Sequence, residues 1–191
     1  MQALILRTGR QIMKIDYAIL GLLSWKPLTG YDIKKIIQES PYIYWSGNNN
    51  QIYKSLIQLE KDGMVSCRVI HQENGPSKKE YDITDLGYET LNHWIKFQEF
   101  EMPEYKKTFL VQLSWSANLE KTELDLLLRK YKARVEEIIV MYKEVKRRKI
   151  NFPDRNEKES YIWNMLYDNM IQTYVAEIDW VDTFRKGIIK W

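Results

Sequence analysis

Apolar positions along the first hundred residues fall into blocks of changing period, and each change marks an element. "DYAILGLLSW" gathers Tyr17, Ile19, Leu20, Leu22, Leu23 and Trp25 into one segment that is apolar almost all round, as expected of a short helix central to a small domain. Pro27 ends it. In "TGYDIKKIIQES" the stripe narrows to Ile33, Ile36 and Ile37, and Thr29 with Asp32 forms a capping box that satisfies two orphaned backbone donors. "WSGNNNQIYKSLIQLEKDGMV" predicts a third helix. Asn48 is its N-cap, Asn49, Asn50 and Gln51 its first turn, and Ile52, Leu56 and Leu59 its core face, with Gly63 as the left-handed closing residue. "MVSCRVIHQ" then alternates like a strand, "ENGPSKK" reads as a turn, and "KEYDI" returns as the second strand of a hairpin. Thr84 caps a fourth helix, where Asp85 complements the positive end of the dipole.

Three short helices, a hairpin and another helix form the order of a winged helix-turn-helix over residues 14–100, with a two-stranded wing. That order explains the run of amides ahead of the third helix, where they depress helix propensity. At a helix mouth entering the major groove, Asn and Gln bond bidentately to adenine and also reach phosphates. Asn49, Asn50, Tyr53 and Lys54 are expected to point outward, with Gln51 at the boundary of the buried face, and Ser77, Lys78 and Lys79 to lie at the wing beside the DNA backbone. Taken singly, an Asn-rich helix start is also a cap, and two lysines are also a solvated hairpin tip. Acidic side chains slightly outnumber basic ones over residues 14–100, so DNA affinity must come from local placement and is expected to be moderate for a monomer.

Beyond Pro103 the pattern is helical throughout, and residues 101–191 read as a dimerisation domain of long antiparallel helices, giving a mainly α chain. Phe109, Leu110, Leu113 and Trp115 belong to a short apolar helix, and Asn118 is the expected cap of a much longer one. Leu124, Leu128, Tyr131, Val135, Ile138, Tyr142 and Val145 follow at alternating steps of four and three, a heptad seam. The last helix carries Trp163, Tyr167, Met170, Tyr174, Ile178 and Val181 as a second stripe, widened by Ile162, Leu166 and Ile171. An intramolecular bundle would satisfy both stripes. A second copy of the same hairpin is the preferred partner, because a two-fold pair presents two recognition helices one turn of DNA apart, on the order of 34 Å.

Composition narrows the function classes. The chain has 191 residues, 45% of them hydrophobic, and a net charge of +3, which permits an anionic partner without demanding one. One cysteine, Cys67, rules out an internal disulfide and fits a reducing compartment, and no apolar run is long enough to span a bilayer; the expected location is the cytoplasm. Two histidines, one cysteine and no Gly-rich phosphate loop or His-Glu-x-x-His pattern argue against an enzyme, a metal site and a cofactor. Cys67 and His71 share a strand face, a pattern more often packing than ligation. Trp94, Trp115, Trp163 and Trp180 lie in helices expected around the dimer centre, where they would either pack the interface or wall a site for a small aromatic ligand. The rival function is a protein-interaction adaptor that keeps the winged fold without specific DNA readout.

"YAILGLLSWKPLTGYDIKK", "WSGNNNQIYKSLIQLEKDGMV" and "GPSKKEYDITDLG" together resemble the PadR family of bacterial transcriptional regulators, over nearly the whole chain. Leu28, Gly30 and Tyr31, the Ile52-Tyr53 pair, and the wing pattern Gly75, Pro76, Lys78, Lys79, Tyr81, Ile83, Thr84 and Gly87 carry the resemblance. It implies a dimeric DNA-binding repressor or activator acting on a dyad-symmetric operator, in some members responsive to a small aromatic molecule. Many relatives have Gly-Thr-Leu-Tyr-Pro where this chain has Asn50, Gln51, Ile52, Tyr53 and Lys54, so the operator sequence does not transfer; the Gln-Ile-Tyr version is similar to the virulence-activator subgroup. Residues 1–13 precede or include the start of "MKIDYAILG" and read as an N-terminal extension with no assigned role.

Overall fold

The computed structural model describes residues 14–40, 43, 49–72, 75–99, 107–151, 153, 155–188 and 190. They belong to two compact units, Met1–Glu101 and Met102–Trp191. In the first, α1 (Lys14–Leu23) is the hub of the core, with Ile15, Ile19, Leu20 and Leu23 almost wholly buried. Against it pack α2 (Gly30–Glu39) through Ile33, Ile36 and Ile37, and α3 (Asn49–Lys61) through Ile52, Leu56 and Leu59. Both apolar stripes are those the i, i+4, i+7 spacing predicts. The capping box forms: Asp32 N–H donates to the Thr29 hydroxyl (3.2 Å) and Thr29 N–H to the Asp32 carboxylate (3.3 Å). Gly63 takes φ 75°, the left-handed conformation that ends α3 without a Cβ penalty. The expected cap Asn48 lies outside the described residues.

The wing is β2 (Val65–Gln72) paired antiparallel with β3 (Gly75–Ile83). Here the structure departs from the expected turn. Gly75 already pairs with Gln72, so "GPSKK" is strand, and Lys78 and Lys79 sit opposite Ile70 and Val69 in the body of the hairpin, not at its tip. A further strand, β1 (Leu28–Thr29), pairs with Tyr81 and Glu80 on the other edge of β3, making a three-stranded sheet of order β1-β3-β2. Two residues are too short for any periodic signal. Helix α4 (Asp85–Phe97) starts at the Thr84 cap, whose hydroxyl accepts from Gly87 N–H and donates to the Gly63 carbonyl (2.7 Å).

The second unit has α5 (Thr108–Ser114), a short 3-10 turn (Ser116–Asn118), α6 (Lys121–Arg148) and α7 (Glu157–Ile188). Asn118 is not the cap of α6. It falls in the 3-10 turn, and Glu120 takes the cap position through a reciprocal box with Glu123. Helices α6 and α7 form an antiparallel hairpin over a core that includes Phe109, Leu124, Leu128, Val181 and Ile188. No described helix is long and apolar enough to cross a membrane.

Candidate nucleic-acid interface

β1 determines where the wing lysines go. Because Leu28 and Thr29 bond to β3 immediately before α2 begins, the base of the wing is held against the start of that helix. The result is an open groove of about 420 Å³ between three elements: Thr29, Gly30, Tyr31 and Asp32 from the α2 start, Tyr53 from α3, and Lys78, Lys79 and Tyr81 from β3. Gly30 sets the depth. A Cβ there would stand 2.7 Å from Cε1 of Tyr53, so the ring lies directly over the glycine and its position depends on the missing side chain.

The sequence-predicted contact residues distribute as follows. Asn50, Tyr53 and Lys54 are exposed on α3, and Gln51 is half-buried. Asn49 is the first residue of α3, its side chain outside what the structure describes. On the wing Ser77, Lys78 and Lys79 are exposed, and the Ser77 hydroxyl shares a hydrogen bond with Nδ1 of His71 (2.9 Å). Tyr53, Lys78 and Lys79 thus meet in one groove, whereas Asn50 and Lys54 flank it on the same helix.

Two further residues share this face. Tyr31 is 66% exposed beside Tyr53, and Ile57, one turn after Tyr53, is 60% exposed. An off-stripe isoleucine and a tyrosine just inside a capped helix start are the signals that could have found them. An exposed aliphatic group on a recognition helix suits contact with thymine methyls, and a tyrosine hydroxyl suits phosphate oxygens.

Charge in the groove is net positive for a local reason. Arg68 is engaged by Glu80 across the hairpin, with Nε donating at 2.6 Å, and the Asp32 carboxylate is held by Thr29. Lys54, Lys78 and Lys79 form no ion pair among the described residues, which leaves their full charge for an anion. At the floor, burial first and then the neighbouring Cys67 and Glu60 push the Tyr81 hydroxyl up to about 12, so it stays neutral at physiological pH.

The residues predicted for dimerisation are placed differently from expectation. Leu124, Leu128, Val135, Tyr167 and Val181 are buried between α6 and α7 of the same chain, Leu128 and Val181 at 0% exposure, so they close the hairpin and are not available to a second copy. Tyr131, Ile138, Trp163, Met170, Tyr174 and Ile178 are half-buried on the same inward faces. A heptad stripe has the same spacing whether its partner is the next helix or another chain, and the side chains buried here are covered by their own chain. Beyond Val135 the fully buried position is Ile139, with Ile138 half-buried, as a 3.6-residue helix drifts off a strict 3.5 repeat.

Polar ties register the two helices. Lys132 reaches Asp182 (2.7 Å), Lys146 reaches Asp168 (2.6 Å) and Arg185 reaches Asp125 (2.7 Å). Inside, Glu177 is buried and accepts from the Tyr131 hydroxyl (2.7 Å) and from Lys107.

The four tryptophans do not share one environment. Trp94 stacks on Tyr17 (4.6 Å) in the winged unit, Trp115 is 82% exposed, Trp163 is half-buried, and Trp180 meets Phe109 edge-on (6.5 Å).

Comparison with known proteins accords with this anatomy. Residues 19–93 match the family model described as the transcriptional regulator PadR-like family, and residues 105–188 match that of the virulence activator alpha C-terminal region. The negative transcriptional regulator PadR of Bacillus subtilis (strain 168) is 31% identical over 136 residues, 69% of this chain and 74% of that protein. Among solved structures, B. subtilis PadR in complex with operator DNA superposes with a TM-score of 0.80 at 22% identity, covering 92% of this chain and 99% of that one. PadR in complex with p-coumaric acid gives 0.71 at 21%, covering 91% and 98%. By the extent and identity of its match to the B. subtilis regulator, and by the two family models that between them take in the winged unit and the helical hairpin, the chain belongs to the PadR-like family of transcriptional regulators.

Proposed function

We propose that this regulator is a cytoplasmic, non-enzymatic homodimer that binds a dyad-symmetric operator. Each protomer inserts the start of α3 into the major groove and lays β3 along the flanking phosphates. The carrying observation is the groove that joins Tyr31, Tyr53, Lys78 and Lys79: one exposed face presents a helix mouth for bases and unpaired cations for the backbone. A protein-interaction adaptor has no use for that combination. Pairing two such heads turns two moderate contacts into one tight site through effective concentration.

Base readout falls to Asn49, Asn50, Gln51 and Tyr53, with Ile57 supplying apolar contact. Phosphate contact falls to Lys54, Ser77, Lys78 and Lys79. The complex of the B. subtilis relative with p-coumaric acid supports a small aromatic effector for this chain as well.

Selection of genomic fragments by the purified protein tests the reading. The expected outcome is enrichment of an inverted repeat whose half-sites lie about one helical turn apart. Enrichment of no dyad, or retention indifferent to salt, would contradict it.

A further inference from the structure

Pro76 shapes the outer part of the wing. It has no N–H to give the ladder, and β3 bulges around it: Ile70 pairs with Lys78 and Gln72 with Gly75, so Pro76 and Ser77 together stand opposite the single residue His71. A bulge re-aims side chains, and here the Ser77 hydroxyl lies 2.9 Å from Nδ1 of His71. Both side chains are exposed, so the pair has no part in the core.

The ring stands on the side of the hairpin that lines the groove. Cys67, Val69 and His71 follow at two-residue steps along β2 and share one face, and the register places Tyr81 and Lys79 on that face as well. Among the described residues of the hairpin, Lys79 is the charged neighbour on this face. Arg68, Lys78 and Glu80 occupy the other, where Arg68 and Glu80 engage each other. A phosphate lying between Lys79 and a charged His71 ring is attracted by both.

Hydrogen-bond chemistry couples the two side chains. With the ring neutral and its hydrogen on Nε2, the Ser77 hydroxyl donates to Nδ1, and the ring offers one outward donor. Protonation adds a hydrogen on Nδ1. That hydrogen goes to Ser77 Oγ, and the hydroxyl hydrogen turns outward. The protonated pair then presents two donors, Nε2–H and Oγ–H, together with a positive charge, which is the complement of a phosphate.

We propose that His71 and Ser77 together clasp a phosphate of the operator, and that binding takes up one proton from solvent on each His71 ring. Histidine is the side chain whose charge changes between about pH 5 and 8, so acidity in that range tunes operator affinity. This rests on the operator-binding reading above and adds to it a contact residue and its proton.

Fluorescence anisotropy on the duplex recovered by fragment selection, at about pH 6 and about pH 7.5 over a range of salt, tests it. The protein is expected to bind at least about fivefold tighter at the lower pH. Its salt slope should steepen there by up to about 1.8, some 0.9 for one added cation in each of two protomers. His71→Gln is expected to abolish both changes while leaving the thermal melt and the dyad preference in place. The other histidine of the chain, His93, lies on α4, and His93→Gln is expected to keep both changes. Ser77→Ala should keep the steeper slope, because the charge stays, and lose part of the affinity gain, because the second donor goes.

Dyad-selective binding with the same affinity and slope at both pH values overturns the His71 contact and spares the operator reading. A pH dependence that survives His71→Gln, or disappears with His93→Gln, also overturns it. An undiminished affinity gain in Ser77→Ala overturns the part given to the hydroxyl. Absence of dyad-selective binding at either pH overturns the operator reading itself.

Discussion

Replacing Gly30 by alanine should damage DNA binding without damaging the fold. The added methyl would meet Tyr53 Cε1 at 2.7 Å, Cδ1 at 3.3 Å and Leu56 Cδ1 at 3.4 Å. Since only the first contact is severe, the ring must withdraw by about 0.7 Å to reach ordinary contact. A displaced ring costs about 0.5–1.5 kcal/mol in rotamer strain. The loss of backbone freedom in the unfolded chain offsets about 0.4–1 kcal/mol of that. Net stability therefore changes by less than about 1 kcal/mol, and the melting temperature by less than about 8 °C. Binding suffers more, because the Tyr53 hydroxyl leaves its contact in both protomers. At about 0.5–1.5 kcal/mol per hydrogen bond, the expected loss is roughly 5- to 150-fold in affinity. Fluorescence anisotropy on an operator duplex, read beside a thermal melt, gives both quantities. The decisive arm is a cycle with Tyr53→Ala: once the ring is gone the methyl keeps only the 3.4 Å contact with Leu56 Cδ1, so Gly30→Ala should cost little more. A Gly30→Ala penalty that persists undiminished in the Tyr53→Ala background would refute the reasoning.

Gly87→Ala, by contrast, should unfold the winged unit more readily. Its methyl would fall on the Met64 backbone carbonyl and stand 2.7 Å from the Ile83 side chain, and the same junction holds the Thr84 cap; about 2–4 kcal/mol is expected in urea denaturation, and an unshifted midpoint would count against it. Leu128→Ala should cost about 2–5 kcal/mol by opening a cavity in the hairpin, whereas Leu128→Asp should lose helical circular dichroism outright; a folded, soluble monomer from the aspartate variant would mean that Leu128 faces a partner after all. Hydrogen bonds from Arg185 and Arg129 lower the Asp125 pKa, and a bond from Lys132 lowers that of Asp182. Depressed carboxylate values stabilise the fold above the unfolded pKa near about 4, and that contribution disappears as pH falls through the folded values. Acid unfolding of the hairpin should thus steepen below about pH 4, and Asp125→Asn should flatten it; identical acid curves would contradict the assignment.

Most of the winged unit was legible because its signals are local. Thr29 with Asp32, Thr84 with Gly87 and Gly63 are caps whose partners lie three residues away or less, and the Ile52, Leu56 and Leu59 spacing needs only a helix to give it a face. What failed to show was the non-local part. β1 is two residues long and exists because Tyr81 and Glu80 offer an edge, so the groove it creates had no sequence signature. Strand pairing likewise extended to Gly75, where turn-forming residues suggested a loop. In the hairpin, spacing revealed which residues are buried but not by whom. Asn118 looked the better cap by side-chain preference, yet the Ser116 hydroxyl bonds the Leu113 carbonyl and holds that stretch in a 3-10 turn, leaving the cap to Glu120.

The salt dependence of operator binding tests most directly whether the α3 start and the β3 lysines act together on DNA. Plotted as the logarithm of affinity against the logarithm of salt concentration, the wild-type line should be steep. With Lys78 and Lys79 both changed to alanine it should flatten by about 3–4, some 0.9 for each of two lysines in each of two protomers, while preference for the dyad over scrambled duplex persists. An unchanged slope, or a dyad preference that vanishes with the lysines, would contradict the division of labour between helix and wing.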